Sequence, residues 1–226
     1  MKLQTRFKNI LSKYKHGIIL SYFFVYMAWF LYLEEEVTNK FTPIYSRLDD
    51  YIPFNEWFVI PYLLWFLYIF VTVAYFFFTS KNDYYKCCAY LFIGMTICLI
   101  IYSIWPNGHY LRVNLSSLGR ENILIDIVAR IYRLDTSTNV LPSIHVYNSI
   151  AANIAIRKSE RLKNIKWLQV ATLILTVLIC MSTVFLKQHS ILDVFSAIIL
   201  NIIMYMIVYI PDWKGATKKE TKEALL

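Results

Sequence analysis

The feature that most constrains this chain is a series of apolar blocks, each nearly free of charge and most of them long enough to cross a bilayer. The run from Gly17 to Leu33 contains no charged residue, and neither does Phe58 to Thr79. About twenty such residues cross the ~30 Å hydrocarbon core as a helix, whereas a soluble core scatters its apolar residues at helix or strand spacing. The predicted spans are about 17–33, 58–79, 87–105, 142–156, 167–186 and 190–210, with 106–141 a long polar connection. A backbone in hydrocarbon must satisfy its own hydrogen bonds, so the expectation is an all-α integral-membrane six-helix bundle forming one domain, 1–226.

A net charge of +8 raises the possibility of nucleic acid, but the basic residues sit in short clusters between apolar blocks and form no amphipathic stripe. Their placement reads as topological, and nucleic acid is not an expected partner. Sixteen of the 23 lysines and arginines fall in the N-terminus, the 81–86 and 157–166 turns and the C-terminal tail, which alternate crossings put on one side. Positive-inside logic then places both termini in the cytoplasm, and puts the 106–141 loop, the start of the fourth span and the 182–193 stretch on the extracytoplasmic side of a cell membrane. Residues 1–16 with the following apolar run resemble the start of a signal peptide. The run ends in Glu34-Glu35-Glu36 without a small-residue cleavage site, so it is predicted as a retained span. Residues 37–57 are acidic and aromatic and read as interfacial, and Arg120 to Arg133 has Ile123, Ile127 and Ile131 at the spacing of a surface helix.

Between the last two spans lies Ser182 to Asp193. His189 and Asp193 are four residues apart, so on a helix they share one face and the carboxylate reaches the imidazole. A carboxylate on Nδ1–H leaves Nε2 as nucleophile or base, although a capped histidine at a helix start produces the same spacing. Pro142-Ser143-Ile144-His145 puts a hydroxyl, an imidazole and unpaired N–H groups in a helix's first turn, a setting that favours an anion. Together these suit phosphate chemistry, with His189 attacking phosphorus and His145 protonating the leaving oxygen. Arg112 and Lys187 are the nearest cations for the phosphate, and Ser143 and Ser182 the nearest hydroxyls. Each has a plainer reading: a solvated loop charge for Arg112, a snorkelling anchor for Lys187, helix caps for the two serines. Asp135 reads as a turn residue, and His16 and His109 as surface histidines. Cys87, Cys88, Cys98 and Cys180 read as small buried hydrophobes, with acylation of Cys87 and Cys88 as the alternative. No metal-ligand spacing occurs, so neither metal nor other cofactor is expected.

These residues resemble the type 2 phosphatidic acid phosphatase superfamily of membrane lipid phosphatases. Its Pro-Ser-x-His motif stands at Pro142 to His145, and its Ser-Arg-x5-His-x3-Asp motif at Ser182, Thr183, His189 and Asp193. The resemblance implies a six-helix core with His189 as nucleophile, Asp193 as its partner and His145 as general acid. It covers about the last 120 residues of the chain, and the rest only through span count. Of Lys-x6-Arg-Pro the arginine matches Arg112, but Trp105 stands for the lysine and Val113 for the proline, and Thr183 replaces the arginine of the third motif. Lys187, one helical turn beyond Thr183, is the expected substitute. The leading expectation is a metal-independent phosphatase acting on a lipid phosphate or diphosphate. The alternatives are a sphingomyelin-synthase-like phosphotransferase that moves a phospho-head-group onto a lipid, and a non-catalytic scaffold or transporter. The near absence of mid-membrane charge argues against transport. The sequence gives no oligomeric state.

Overall fold

The computed structural model describes residues 14–37 and 40–211. The basic residues Lys2 to Lys13 and the tail lysines Lys214 to Lys222 lie outside the described residues. A 3-10 segment, Lys15–Ser21, runs into α1 (Tyr22–Glu36). Then follow β1 (Thr42–Pro43), the short α2 (Leu48–Tyr51), α3 (Val59–Thr79), α4 (Lys81–Ile104) and β2 (Asn107–Gly108). The chain continues with α5 (Ile123–Leu134), α6 (Ile144–Lys158), α7 (Lys166–Phe185) and α8 (Ile191–Val208). The architecture is all-α, with one parallel two-residue pairing of β1 with β2.

Among the described residues five helices are long and apolar enough to cross a membrane: Lys15–Glu36, Glu56–Thr79, Lys81–Ile104, Lys166–Phe185 and Ile191–Val208. Large apolar side chains such as Phe66, Phe70, Ile199 and Ile202 face outward from them, as an integral-membrane protein requires. The segment predicted as the fourth span is α6, a helix of 15 residues. At 1.5 Å per residue it covers about 22 Å, less than the hydrocarbon core. It is also deeply enclosed, with Val146, Tyr147, Ala151, Ala152 and Ala155 buried against α3, α4, α7 and α8. Its alanines let those neighbours approach closely. A Cβ on Gly94 of α4 would stand 1.9 Å from the Tyr147 ring, so only glycine admits that ring. The Tyr147 hydroxyl donates to the Tyr90 carbonyl (2.7 Å) and the Tyr90 hydroxyl to the Asn201 carbonyl (2.7 Å), which ties α6, α4 and α8 together.

Helix ends gather in two groups. At one end Ser159 Oγ donates to Asp83 (2.9 Å) and Lys158 lies over the Tyr205 ring. At the other, the Tyr102 hydroxyl donates to the Pro142 carbonyl and Asn55 N–H to the Phe185 carbonyl (3.0 Å). Two boundaries differ from the sequence reading. The 81–86 segment is no turn, because Ser80 alone separates α3 from α4 and its Oγ accepts from Asp83 N–H. Pro142 is not the first residue of α6 either, since Ser143 is the N-cap and Ile144 begins the helix.

The 106–141 connection is ordered by α5, whose Leu124, Ile127, Val128 and Ile131 pack on Val59, Tyr62 and Leu186. Ile123, expected on that face, is 72% exposed. Buried Glu56 fixes the helix entrance, accepting two bonds from Arg120 (2.9 and 2.7 Å) and one from Asn122 (3.1 Å).

Candidate functional site

The loop between α7 and α8 folds back on the helix it leaves. Lys187 takes a left-handed conformation (φ 55°), and the N–H groups of Gln188 and His189 both donate to the Thr183 carbonyl, at 2.9 and 3.0 Å. His189 therefore precedes α8 and does not ride on its face; Ser190 is the N-cap. The His189–Asp193 pairing arises from a capping box instead. One oxygen, Asp193 Oδ2, accepts from Ser190 N–H (2.9 Å) and lies 3.1 Å from His189 Nδ1. One carboxylate thus both caps α8 and contacts the imidazole.

His145, second residue of α6, stacks against Tyr62 and Trp65 of α3, with ring centroids 4.6 and 4.4 Å away. Its ring centroid is 6.1 Å from that of His189. Ser143 N–H donates to the Asp193 carbonyl (3.2 Å), so the two histidine-bearing helix starts are directly joined. Burial holds the His189 imidazole well below its ordinary pKa; the Val140 carbonyl opposes this and the Arg112 charge adds to it. His189 is thus neutral at pH 7, the form a nucleophile needs.

Arg112 is brought to this cluster and clamped there. Its Nη1 donates to the carbonyls of Tyr132 (2.8 Å) and Asp135 (2.9 Å), and its Nη2 to the Thr136 carbonyl (2.7 Å) and Gln188 Oε1 (2.7 Å). The guanidinium also stacks on the Tyr132 ring at 4.7 Å. It is therefore no solvated loop charge. Asp135, at the end of α5, has its carboxyl pushed up to about 7 by burial and by Glu34, with Arg112 opposing.

Three expected substrate-binding groups are engaged elsewhere. Lys187 does not lie on the helical face of Thr183, because α7 ends at Phe185, and its ammonium donates to the Asp49 carbonyl (2.7 Å). Ser182 is fully buried and donates to Ile179 O (2.6 Å). Ser143 Oγ caps α6 through Val146 N–H (3.4 Å). Thr183 Oγ1 donates to Cys180 O (2.8 Å), and Trp105 Nε1 to Thr42 (2.9 Å).

His16 and His109 are buried, contrary to the surface placement expected of them. His109 Nδ1 accepts from Leu111 N–H (3.1 Å), so Nε2 carries the proton and donates to the Gln188 carbonyl (2.7 Å). Burial takes its pKa down to about 4. His16 Nε2 is 3.0 Å from the Phe77 carbonyl, at the opposite end of the bundle.

Sequence reasoning missed Asp49. From α2 its carboxylate accepts Ser190 Oγ (2.7 Å), Ile191 N–H (2.8 Å) and Ser46 N–H (2.9 Å), clamping the start of α8. Gln188 was missed as well, although its place beside His189 was a signal. Among the described residues no group of three or more His, Cys, Asp or Glu side chains is placed to hold a metal ion.

Compared with protein-family models, curated proteins and solved structures, the chain matches none. The site brings together a histidine bonded to a carboxylate, a second histidine with its ring centroid 6.1 Å away and a clamped arginine, residue types that occur in general acid–base and nucleophilic catalysis.

Proposed function

We propose that this protein is an integral-membrane enzyme that hydrolyses a lipid phosphate or diphosphate through a phosphohistidine at His189, in the manner of the type 2 phosphatidic acid phosphatases it resembles. The observation that carries the reading is His189 Nδ1 held 3.1 Å from Asp193 Oδ2 with the His145 ring 6.1 Å away. With Nδ1–H donating to Asp193, the lone pair of Nε2 forms a bond to phosphorus while the bond from phosphorus to the leaving oxygen breaks. That oxygen takes a proton from His145, whose pKa burial and His189 lower to about 3, so the imidazole must first be protonated as the anionic substrate binds. Water then attacks phosphorus and gives its proton to His145, and the N–P bond breaks, returning its electron pair to Nε2. Asp193 stabilises the imidazolium character that develops.

The charge asymmetry of the sequence supports an extracytoplasmic site in a cell membrane with cytoplasmic termini. A second reading is transfer of a phospho-head-group to a lipid hydroxyl through the same intermediate. It is favoured by the uncharged residues at 105 and 183, which leave few cations for a dianionic phosphate.

Incubating the purified full chain in detergent with a panel of lipid phosphates, and measuring inorganic phosphate and lipid products together, tests the reading. Phosphate release by the parent, with loss of both turnover and trapped phosphoenzyme in His189→Ala, is the expected result. Turnover in His189→Ala at the parent rate would overturn it, and a transferred head group without phosphate release would establish the second reading.

A further inference from the structure

Around His189, two buried hydrogen-bond donors have no partner among the described residues. A guanidinium has five N–H groups and no acceptor. In Arg112 the four on Nη1 and Nη2 are taken by Tyr132, Asp135, Thr136 and Gln188. The remaining Nε–H is buried and has no partner among the described residues. Arg112 therefore offers one hydrogen bond to a ligand, where a bidentate fork would offer two.

The second donor belongs to Gln188, which is 3% exposed. Because Arg112 can only donate, the amide oxygen is the atom that faces it, which fixes the amide's orientation. Nε2 is thereby turned away from the guanidinium, buried and without a partner. A buried N–H left unpaired is costly, and natural proteins keep few of them. Gln188 is also held rigidly. Its N–H shares the Thr183 carbonyl with His189 N–H, and its own carbonyl accepts from His109. The Gln188 backbone is thus tied to Thr183, where the resembled motif has an arginine, and residue 188 directly precedes the histidine that would attack.

We propose that Gln188 Nε2 and Arg112 Nε form the donor pair that holds the non-reacting oxygens of the phosphoryl group, with Gln188 standing in for the arginine absent at Thr183. This rests on the phosphohistidine at His189 proposed above, and it favours the second, head-group-transfer form of that reading over hydrolysis of a lipid monoester. One cation and one neutral amide face the ligand, since Lys187 is engaged by Asp49. Glu34 flanks Arg112, because Thr136 donates to Glu34 Oε2 (2.6 Å) and accepts from Arg112 (2.7 Å). Such a site matches a phosphoryl group of single negative charge. The preferred substrate is a phosphodiester, as in a phospholipid head group, over a dianionic monoester.

The test uses the full chain in detergent, comparing kcat/KM for a zwitterionic phosphodiester lipid and for a lipid phosphomonoester. Gln188→Glu keeps the oxygen that buttresses Arg112 and replaces the donor by a second anion; it should lose about 10²-fold or more, the range for one transition-state donor. Gln188→Arg should move the monoester-to-diester ratio at least about tenfold toward the monoester. A Gln188→Glu enzyme as fast as the parent would show that the amide only supports Arg112 and would overturn the proposal, as would an unchanged ratio in Gln188→Arg. Calorimetric binding of inorganic phosphate to the parent and to the uncharged, similarly shaped Gln188→Met reads the pair without turnover. Binding at least about tenfold weaker in Gln188→Met supports the site, and equal binding overturns it. A parent that binds phosphate through Gln188 yet turns over no lipid phosphate would lose the proposed reaction and keep this site.

Discussion

Asp193 shows how little a single residue's role can be divided. The same oxygen caps α8 and holds His189, so Asp193→Ala would confound folding with chemistry. Asp193→Asn keeps an oxygen for Ser190 N–H but loses the charge that stabilises the imidazolium. Turnover should fall by about 10²–10⁴-fold, with the thermal unfolding midpoint close to the parent's. Asp135 gives a prediction of opposite character. Its folded-state pKa of about 7 lies above the ordinary carboxylate value, so between the two the folded chain keeps a proton that the unfolded chain has released. Stability contributed by this group is present at low pH, declines as pH rises toward about 7 and is level above that. Asp135→Asn should remove this slope, and its unfolding midpoint in detergent should exceed the parent's most on the alkaline side. At this scale the sequence disclosed that His145, His189 and Asp193 come together, because their spacing from helix starts is local. It misplaced Lys187, because the left-handed turn that ends α7 at Phe185 leaves no periodic signal. It passed over Asp49, whose partners at 190 and 191 are some 140 residues away in sequence.

The helices themselves were legible wherever their faces are uniformly apolar, since that pattern reports the solvent and not the packing partner. Their ends were less so: Lys81, Asp83 and Lys86 look like a turn by charge, yet Ser80 caps them into α4. The contact between α4 and α6 could not be foreseen, because Gly94 is a helix-weakening residue until the Tyr147 ring is seen against it. Gly94→Ala would place a methyl 1.9 Å from that ring, whose hydroxyl is already tied to Tyr90. We expect a loss of about 1–3 kcal/mol, read as a lowered unfolding midpoint. Shortening the ring's reach with Tyr147→Leu in the same chain should recover part of it, the non-additivity expected of touching residues.

For the whole molecule, the grouping of helix ends turns the charge asymmetry into a labelling experiment. A cysteine introduced at exposed Ser117, in the connection before α5, should react with an impermeant thiol reagent in intact cells, whereas one at exposed Asn164, between α6 and α7, should not. The reversed pattern would put the two histidines on the cytoplasmic side. Either orientation leaves one consequence of the 15-residue α6. If Arg157 and Lys158 lie at one membrane boundary, a helix covering about 22 Å would end roughly 8 Å below the other boundary of a ~30 Å core. His145 is then reached by descent: a solute must shed water to arrive, while a lipid already in the leaflet needs only to sink its head group. In a bilayer, depth would then favour a phosphate carried on a lipid over a small soluble one, a bias that detergent solution, where phosphate binding is measured, relaxes.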